Sequence, residues 1–503
     1  MGSGRGRLVA RTFGELLGRE AAQALRARRP AEGRQDAGDR RAREVRRALE
    51  GLGPFYIKIG QMLATRPDFV PQAMIEEFEK LQDHVSPAPF AAFETVLAEE
   101  LGPHWRRTFR DIDTTRPLGA ASLAQVYRGV LLDGRPVAIK VQRPGVREVM
   151  AEDMRLLRRV SRIAARRAPR FNEVVDVEAM LGVVFDAMRP ELDFVLEARN
   201  MERAREITEE FKHVTVPEVV TATPRVLVQS LAPGCSIREA DRDAFTAQER
   251  ADIGRDLLAF MYRGYFVDRV FHADPHPGNV FIHPGEKATV IDWGMVGRID
   301  RPMSNSILLL LLNLAMNDGA GMARAWIDMG SCTAWAQASA FADDMAALVP
   351  QVATASLEEL NFGVTLTAVL RHSTRRGIRT SPMVSILGKS FANIEGSIRH
   401  LCPELSLVDV FSEELSGIVV DLVRESLSAE QVMRTALEVM AGGASVSQQL
   451  RGVTRDLSNR DLAMKVAVND RLPAGGGRFR VGPKQLALML GAMEVWRRRG
   501  THS

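Results

Sequence analysis

The octapeptide HADPHPGN, His272 to Asn279, sets a carboxylate (Asp274) and a carboxamide (Asn279) five positions apart. Pro275, Pro277 and Gly278 keep this segment out of any helix. Thirteen residues after Asn279, Asp292 opens the tripeptide Asp292-Trp293-Gly294. Phosphoryl transfer asks a protein for positioning and charge rather than covalent chemistry. Its parts are a carboxylate beside the attacking oxygen, an amide oxygen and a second carboxylate on Mg2+, and a lysine on the phosphates. VAIK, Val137 to Lys140, supplies the lysine at the end of an apolar run. Asp274 is therefore the candidate that orients or deprotonates an acceptor, and Asn279 and Asp292 the candidate Mg2+ ligands. Lys140 would reach the α- and β-phosphates of ATP. Alone, VAIK is an ordinary strand and DWG an ordinary turn; their order and spacing carry the reading. Zinc on His272 and His276 fails, because a helix is forbidden there and no cysteine is near.

These side chains need elements to hold them. Leu123 to Val130 alternates as a strand, and Asp133-Gly134 between apolar runs predicts a hairpin that places Lys140 on its second strand. The stretch before the first strand, Leu118 to Val126, has the spacing of a phosphate loop. Gly119, Ala121, Ala124 and Val126 fall on the positions of G-x-G-x-x-G-x-V. Leu118, Gly119, Ala120, Ala121, Ser122, Ala124 and Val126 are the candidate nucleotide contacts. Alanine in place of glycine predicts a stiffer loop that folds less readily over a triphosphate. A plain hydrophobic strand is the alternative, and Ser122 and Gln125 interrupt its apolar pattern.

Around this core the text is helical. From Pro54 an apolar helical period runs through Phe55, Ile59, Met62 and Leu63, until Pro67 and Pro71 break it. Helices are expected over Gln72–Leu81, up to Gly102, over Gly145–Arg167 and over Val175–Met188. Thr215 to Gly234 reads as strands around a Thr-Pro turn, and residues 303–503 as almost all helical with a break at Gly475–Gly477.

Composition sets limits. The 503 residues, 46% hydrophobic and 26% charged, suit a globular protein of several domains. Residues 1–50 hold 13 arginines against 7 acidic residues, although the whole chain carries only +4. That excess suits a solvated tail or an anionic lipid surface; without aromatic interleaving or a recognisable module, nucleic acid is set aside. Three widely spaced cysteines speak against a disulfide framework. No signal peptide is legible. The longest apolar run, Ile307 to Leu312, and LALMLGAM, Leu486 to Met493, are too short to span a bilayer.

With these residues laid out, the chain resembles the UbiB/ADCK (AarF) atypical kinases, from roughly Arg46 to Leu407. Besides Lys140, four signatures carry the resemblance: KIGQ at Lys58 to Gln61, the loop GAAS, ELDFVLEARN, and HADPHPGN with its downstream DWG. It implies an α+β, bilobal protein-kinase-like fold with an N-terminal helical extension and a mostly helical C-terminal lobe. It also implies that Lys58 and Gln61 project into the nucleotide pocket toward Glu191 and Asp193, and that Glu197 pairs with Lys140. By distance along the chain, Glu148 and Glu152 are nearer alternatives for that pairing. Gly60 in the KIGQ helix, costing about 1 kcal/mol against alanine, suggests close packing on another backbone. The departures are informative too. Ala273 replaces the catalytic-loop arginine, no A-P-E follows DWG, Trp293 replaces phenylalanine, and the hydrophobic C-terminal segments of many members are missing.

The expected layout is a basic segment at 1–50, a helical K-x-G-Q extension at 51–105, an N-lobe with helical insertion at 106–230, a C-lobe at 231–420 and a helical tail at 421–503. The expected activity is that of an ATP- and Mg2+-using atypical kinase or ATPase, acting on or regulated by a small-molecule or isoprenoid-lipid (quinone-related) ligand. The alternatives are a nucleotide-binding scaffold for partner enzymes and, behind it, a protein kinase acting in trans. The expected location is cytoplasmic, free or peripheral to the inner membrane. Oligomeric state, acceptor and pathway have no sequence signal.

Overall fold

Helices α1 (Arg34–Leu52), α2 (Pro54–Ala64), α3 (Gln72–Phe78) and α4 (Ala91–Leu101) precede a sheet built from strands β1 (Phe109–Ile112), β2 (Gly119–Ala120), β3 (Ala124–Leu131) and β4 (Pro136–Gln142). This computed structural model describes residues 8–9, 11–12, 34–64, 70, 72–78, 80–81, 86–167, 182, 185, 192–353, 362–427 and 433. The chain divides into two compact units between Asp421 and Leu422, and the architecture below is that of the first, with the helix that crosses the division given whole.

The Asp133-Gly134 turn forms as its sequence dictates, with Gly134 at φ +89° joining β3 to β4. Helices α5 (Val146–Arg167) and α6 (Phe194–Thr208) and strand β5 (Val214–Thr215) intervene before β6 (Val219–Ala222) and β7 (Val226–Ser230) complete the sheet. Its order is β1-β3-β4-β7-β6, with β2 folded back on β3, and all its pairings are antiparallel. One face is closed by α4, whose Phe93 meets Tyr127 edge-on beside Phe90. Burying each such ring contributes roughly 1.5–3 kcal/mol. A second apolar cluster joins α1, α2 and α3 to α5 and includes Leu123 from the alanine loop. The helix expected over Gln72–Leu81 stops at Phe78, where the Leu81 amide closes a turn on the Phe78 carbonyl. Gly60 packs on side chains, not on a backbone: a Cβ there would strike Leu81 Cδ1 and come within 2.9 Å of Leu49 Cδ1.

The remaining elements of this unit are β8 (Cys235–Ser236), α7 (Ala247–Phe266), β9 (Val270–His272), β10 (Val280–Ile282), β11 (Ala288–Val290), β12 (Val296–Arg298), α8 (Arg301–Ala315) and α9 (Gly319–Met329). After them come β13 (Ser331–Cys332), α10 (Ala338–Ala353), α11 (Phe362–Arg375), β14 (Ile378–Arg379), α12 (Pro382–Leu401) and α13 (Leu407–Ser426). Strands β5-β11-β10-β8 form one small sheet and β12-β9 another. A capping box, Thr246 with Glu249, starts α7. Among the described residues the helical text after residue 303 holds through α13, apart from short connections and the two-stranded β13–β14 sheet, whose strands flank α10 and α11. The helix expected over Val175–Met188 and the break at Gly475–Gly477 lie outside the described residues, apart from 182 and 185. No described helix is long and apolar enough to cross a membrane.

Glu395 on α12 is fully buried and accepts from the Phe362 amide at 3.1 Å, capping α11. Burial pushes its carboxyl up to about 8, against the backbone amides of Phe362 and Gly363 and the Arg399 charge. The folded value lies above the ordinary 4.5, so the folded state holds a proton that the unfolded state releases between those pH values. This stability is complete below pH 4.5 and is lost as pH rises through about 8. Glu395→Gln should therefore lose less Tm between pH 7 and 9 than the parent, as thermal melts at a series of pH values would read.

Candidate functional site

Lys140 on β4 stands between two carboxylates. Its Nζ donates to both oxygens of Glu197 at 2.9 Å and to Asp292 Oδ1 at 3.0 Å, with the Phe194 ring 5.2 Å away. Glu197 is brought there by α6, whose first turn begins when Asp193 Oδ1 caps the Val195 amide at 3.1 Å. Glu197 is buried and Asp292 half exposed. Burial opposes the charge on Lys140, but Asp292 and Glu197 outweigh it and hold the ammonium above the ordinary lysine value. Lys140 in turn keeps Asp292 ionised well below the usual carboxylate range, assisted by Lys58.

Asp292 has φ +62°, a left-handed conformation that non-glycine residues take up rarely and often at functional sites. Trp293 behind it is anchored three ways. Its Nε1 donates to the Val290 carbonyl at 3.0 Å, its carbonyl accepts from Asn200 Nδ2 at 3.1 Å, and its ring meets His272 edge-on. Asn200 Oδ1 also accepts from Arg298 at 3.2 Å.

The HADPHPGN loop leaves β9 beside these residues. His272 accepts the Asp274 amide at Nδ1 (3.1 Å), so its Nε2 carries the proton that reaches the Ile291 carbonyl at 3.1 Å. With both nitrogens used and burial holding it neutral, His272 shapes the loop and offers no metal lone pair. Asn279 Nδ2 donates to the Asp274 carbonyl at 3.1 Å, leaving Oδ1 for a hard cation. The oxygens of Asn279 and Asp292 are of the kind that would hold a Mg2+, which would supply charge neutralisation to a bound phosphate. Among the described residues no cluster of three or more His, Cys, Asp or Glu forms a ready-made metal cage. Burial raises the Asp274 carboxyl, but Lys389, then His276 and Lys58, outweigh it and leave it below its ordinary value. Lys389 Nζ lies 3.0 Å from Asp274 Oδ2, and Asn393 Nδ2 lies 2.5 Å from Oδ1.

The alanine loop is held from outside. Arg143 Nε donates to the Ala121 carbonyl at 2.8 Å, and the same guanidinium reaches the Ser86 carbonyl at 3.3 Å. Buried Gln125 bonds both backbone groups of Ala88, at 2.6 and 3.1 Å, which explains the polar residue in the strand pattern. Ser122 and Ala124 are buried, Ala120, Ala121 and Val126 half-buried, and Leu118 and Gly119 exposed. A Cβ on Gly119 would meet nothing within 4 Å, so the glycine kept in this loop is not demanded by its neighbours. Arg143→Ala should free the loop and weaken binding of a fluorescent ATP analogue about fivefold through lost preorganisation. An equilibrium titration reads the change.

From the K-x-G-Q helix, Lys58 lends its charge to Asp274 and Asp292. Gln61 donates its amide to the Leu81 carbonyl at 3.0 Å. Glu191 lies outside the described residues. Lys389, Asn393 and Arg143 had no motif to announce them. The signal open to a reader was polar residues at helical spacing on the apolar face of α12, with Lys389 and Asn393 four apart.

The sequence pattern of the ABC1 atypical kinase-like domain matches residues 80–326. A Clostridium pasteurianum protein known as "uncharacterized protein in hydrogenase 1 5'region" is 31% identical over 368 residues, 73% of this chain and 69% of that one. The "probable protein kinase UbiB" of Cellvibrio japonicus is 32% identical over 380 residues, 73% of this chain and 67% of that one. The chain belongs to the UbiB/ADCK family. A further UbiB, from Pseudomonas putida strain F1, is 29% identical over 463 residues, 90% of this chain and 82% of its own. The architecture is accordingly the α+β, bilobal kinase-like fold of this atypical kinase family. In chain order, α1 to α3 come before the six-stranded sheet, and the helices from α7 onward come after it.

Proposed function

We propose that this UbiB-family chain is an ATP- and Mg2+-using atypical kinase or ATPase. The observation that supports it most is convergence. Lys140 from β4 and Glu197 from α6, 57 residues apart in sequence, come together with Asp292 after β11, and the loop of Asp274 and Asn279 is tied beside it by the Ile291 amide on the Asn279 carbonyl. In this reading Lys140, steadied by Glu197, holds the nucleotide phosphates, and Asn279 and Asp292 hold Mg2+. The cation, when bound, neutralises charge on the phosphates. Asp274 orients the acceptor hydroxyl or water, and Leu118 to Val126 cover the nucleotide.

Only eight residues separate Asp292 from the start of α8 at Arg301, which leaves no room for a long peptide-docking segment. The acceptor is accordingly a small or lipid-like molecule, and the UbiB name of the relatives suggests quinone or isoprenoid metabolism. The basic excess of residues 1–50 suits peripheral contact with anionic lipid. One observation favours a second reading, a nucleotide-binding scaffold: Lys58 of the K-x-G-Q helix faces both site carboxylates, where it competes with a metal for their charge.

ATP turnover with Mg2+, with and without anionic liposomes and a substituted phenol, separates the two when Asp292→Asn serves as the blank. Stimulated turnover that the blank lacks supports the enzyme. Nucleotide binding without turnover above the blank supports the scaffold.

A further inference from the structure

A single stripe of α12 holds the HADPHPGN loop. Lys389, Ser390, Asn393 and Ser397 recur at helical spacing on one side of it. Ser390 Oγ donates to the His272 carbonyl at 2.6 Å, so in its 2.8 Å bond with Tyr265 it is the tyrosine hydroxyl that donates. Ser397 Oγ donates to the Pro275 carbonyl at 2.9 Å. These two hydroxyls are buried and fix the loop backbone on either side of Asp274.

Between them, the same helix face reaches the Asp274 carboxylate. Lys389 takes Oδ2 at 3.0 Å and Asn393 takes Oδ1 at 2.5 Å. The ion pair is not a core contact: the side chains of Lys389 and Asp274 keep 30% and 25% of their surface in solvent. An aspartate left to itself turns almost freely about its last torsion. A carboxylate offers about four lone-pair sites, and one donor on each oxygen leaves the rest in a set orientation.

We infer that Lys389 and Asn393 are positioning residues that lock the Asp274 carboxylate, so that its remaining lone pairs take the O–H of an acceptor in one orientation. This rests on the reading of Asp274 as the acceptor-orienting group. Lys389 also places a cation beside the acceptor, an arrangement suited to an alcohol, phenol or water and unsuited to a cationic amine.

The test uses the full chain with Lys389→Met, Lys389→Arg and Asn393→Ala, and the double variant Lys389→Met/Asn393→Ala. Because misplacement by about 1 Å costs up to about a hundredfold, Lys389→Met should lower kcat for ATP roughly 30-fold, with nucleotide KM within about twofold and Tm unchanged. Lys389→Arg should recover most of the loss. A crystal structure of the double variant should hold α12 in place and find the Asp274 carboxylate rotated. Near-parental kcat in Lys389→Met would overturn the inference, as would an unrotated Asp274 in the double variant. Equal losses in Lys389→Met and Lys389→Arg with a fall in Tm would mark a purely structural contact and overturn it too. If the parent protein turns over no ATP, the enzymatic reading fails by itself, and the Asp274 rotamer still decides the positioning role.

Discussion

Asp292→Asn is expected to lower ATP turnover by about 10³-fold while leaving the fold and its melting temperature nearly unchanged. The two halves of this expectation have separate physical grounds. Asparagine tolerates the left-handed φ of +62° as well as aspartate does, so the backbone has no reason to move. Lys140 keeps Glu197, its buried partner, and loses only the half-exposed one. A partly solvated ion pair of this kind contributes little to stability. What the substitution removes is a formal negative charge held fully ionised by Lys140, the property a hard divalent cation selects. A Mg2+ titration of turnover beside a thermal melt measures both. Turnover within tenfold of the parent at saturating Mg2+ would mean that Asp292 is not a metal ligand, and would move the reading toward the scaffold.

The second large effect concerns how the lobes' helices are assembled. Gly363, at the start of α11, crosses α12 so closely that a Cβ would lie 2.6 Å from the Ala392 amide nitrogen and 2.7 Å from the Gly388 carbonyl oxygen. Both obstacles are backbone and cannot swing aside. Gly363→Ala should therefore destabilise by about 2–3 kcal/mol, despite alanine's better helix propensity. Gly396→Ala on α12 is the matched control, because its Cβ would meet nothing within 4 Å. That change should stabilise by up to about 1 kcal/mol. Urea denaturation of both reads the contrast, and equal effects of the same sign would refute the close crossing. Gly363→Ala should also slow turnover, since α12 carries Lys389 and Asn393.

Legibility in the sequence followed locality. Asp274, Asn279 and Asp292 lie within nineteen consecutive residues, and Lys140 ends a hairpin whose turn is written as Asp133-Gly134. Spacing alone was enough to collect them. Glu197 was different: 57 residues separate it from Lys140, and only the family resemblance preferred it to the nearer Glu148 and Glu152. Lys389 and Asn393 sit 115 and 119 residues from Asp274, and their helix shows polar residues four apart on an apolar face without saying what they meet. Arg143 directly follows the first lobe's VAIK strand, yet its partner Ala121 is a backbone carbonyl, and carbonyls have no sequence code. Gly60 was read correctly as a close approach but to the wrong kind of neighbour, because a helical period cannot say whether side chain or backbone lies opposite. The length of α3 was overestimated since three more helix-compatible residues followed Phe78.

The Asn200 bridge limits how such a site can be governed. Asn200 is three residues beyond Glu197 on α6, and its side chain grips the Trp293 carbonyl on one side and Arg298 on the other. An outward swing of α6 would thus pull on the Trp293 carbonyl, one peptide beyond Asp292, so that movement of the lysine partner is passed to the residue next to the candidate metal ligand. A regulator of this protein would do better to act as a gatekeeper, admitting or refusing ligands at the rim, than as a hand on the machinery.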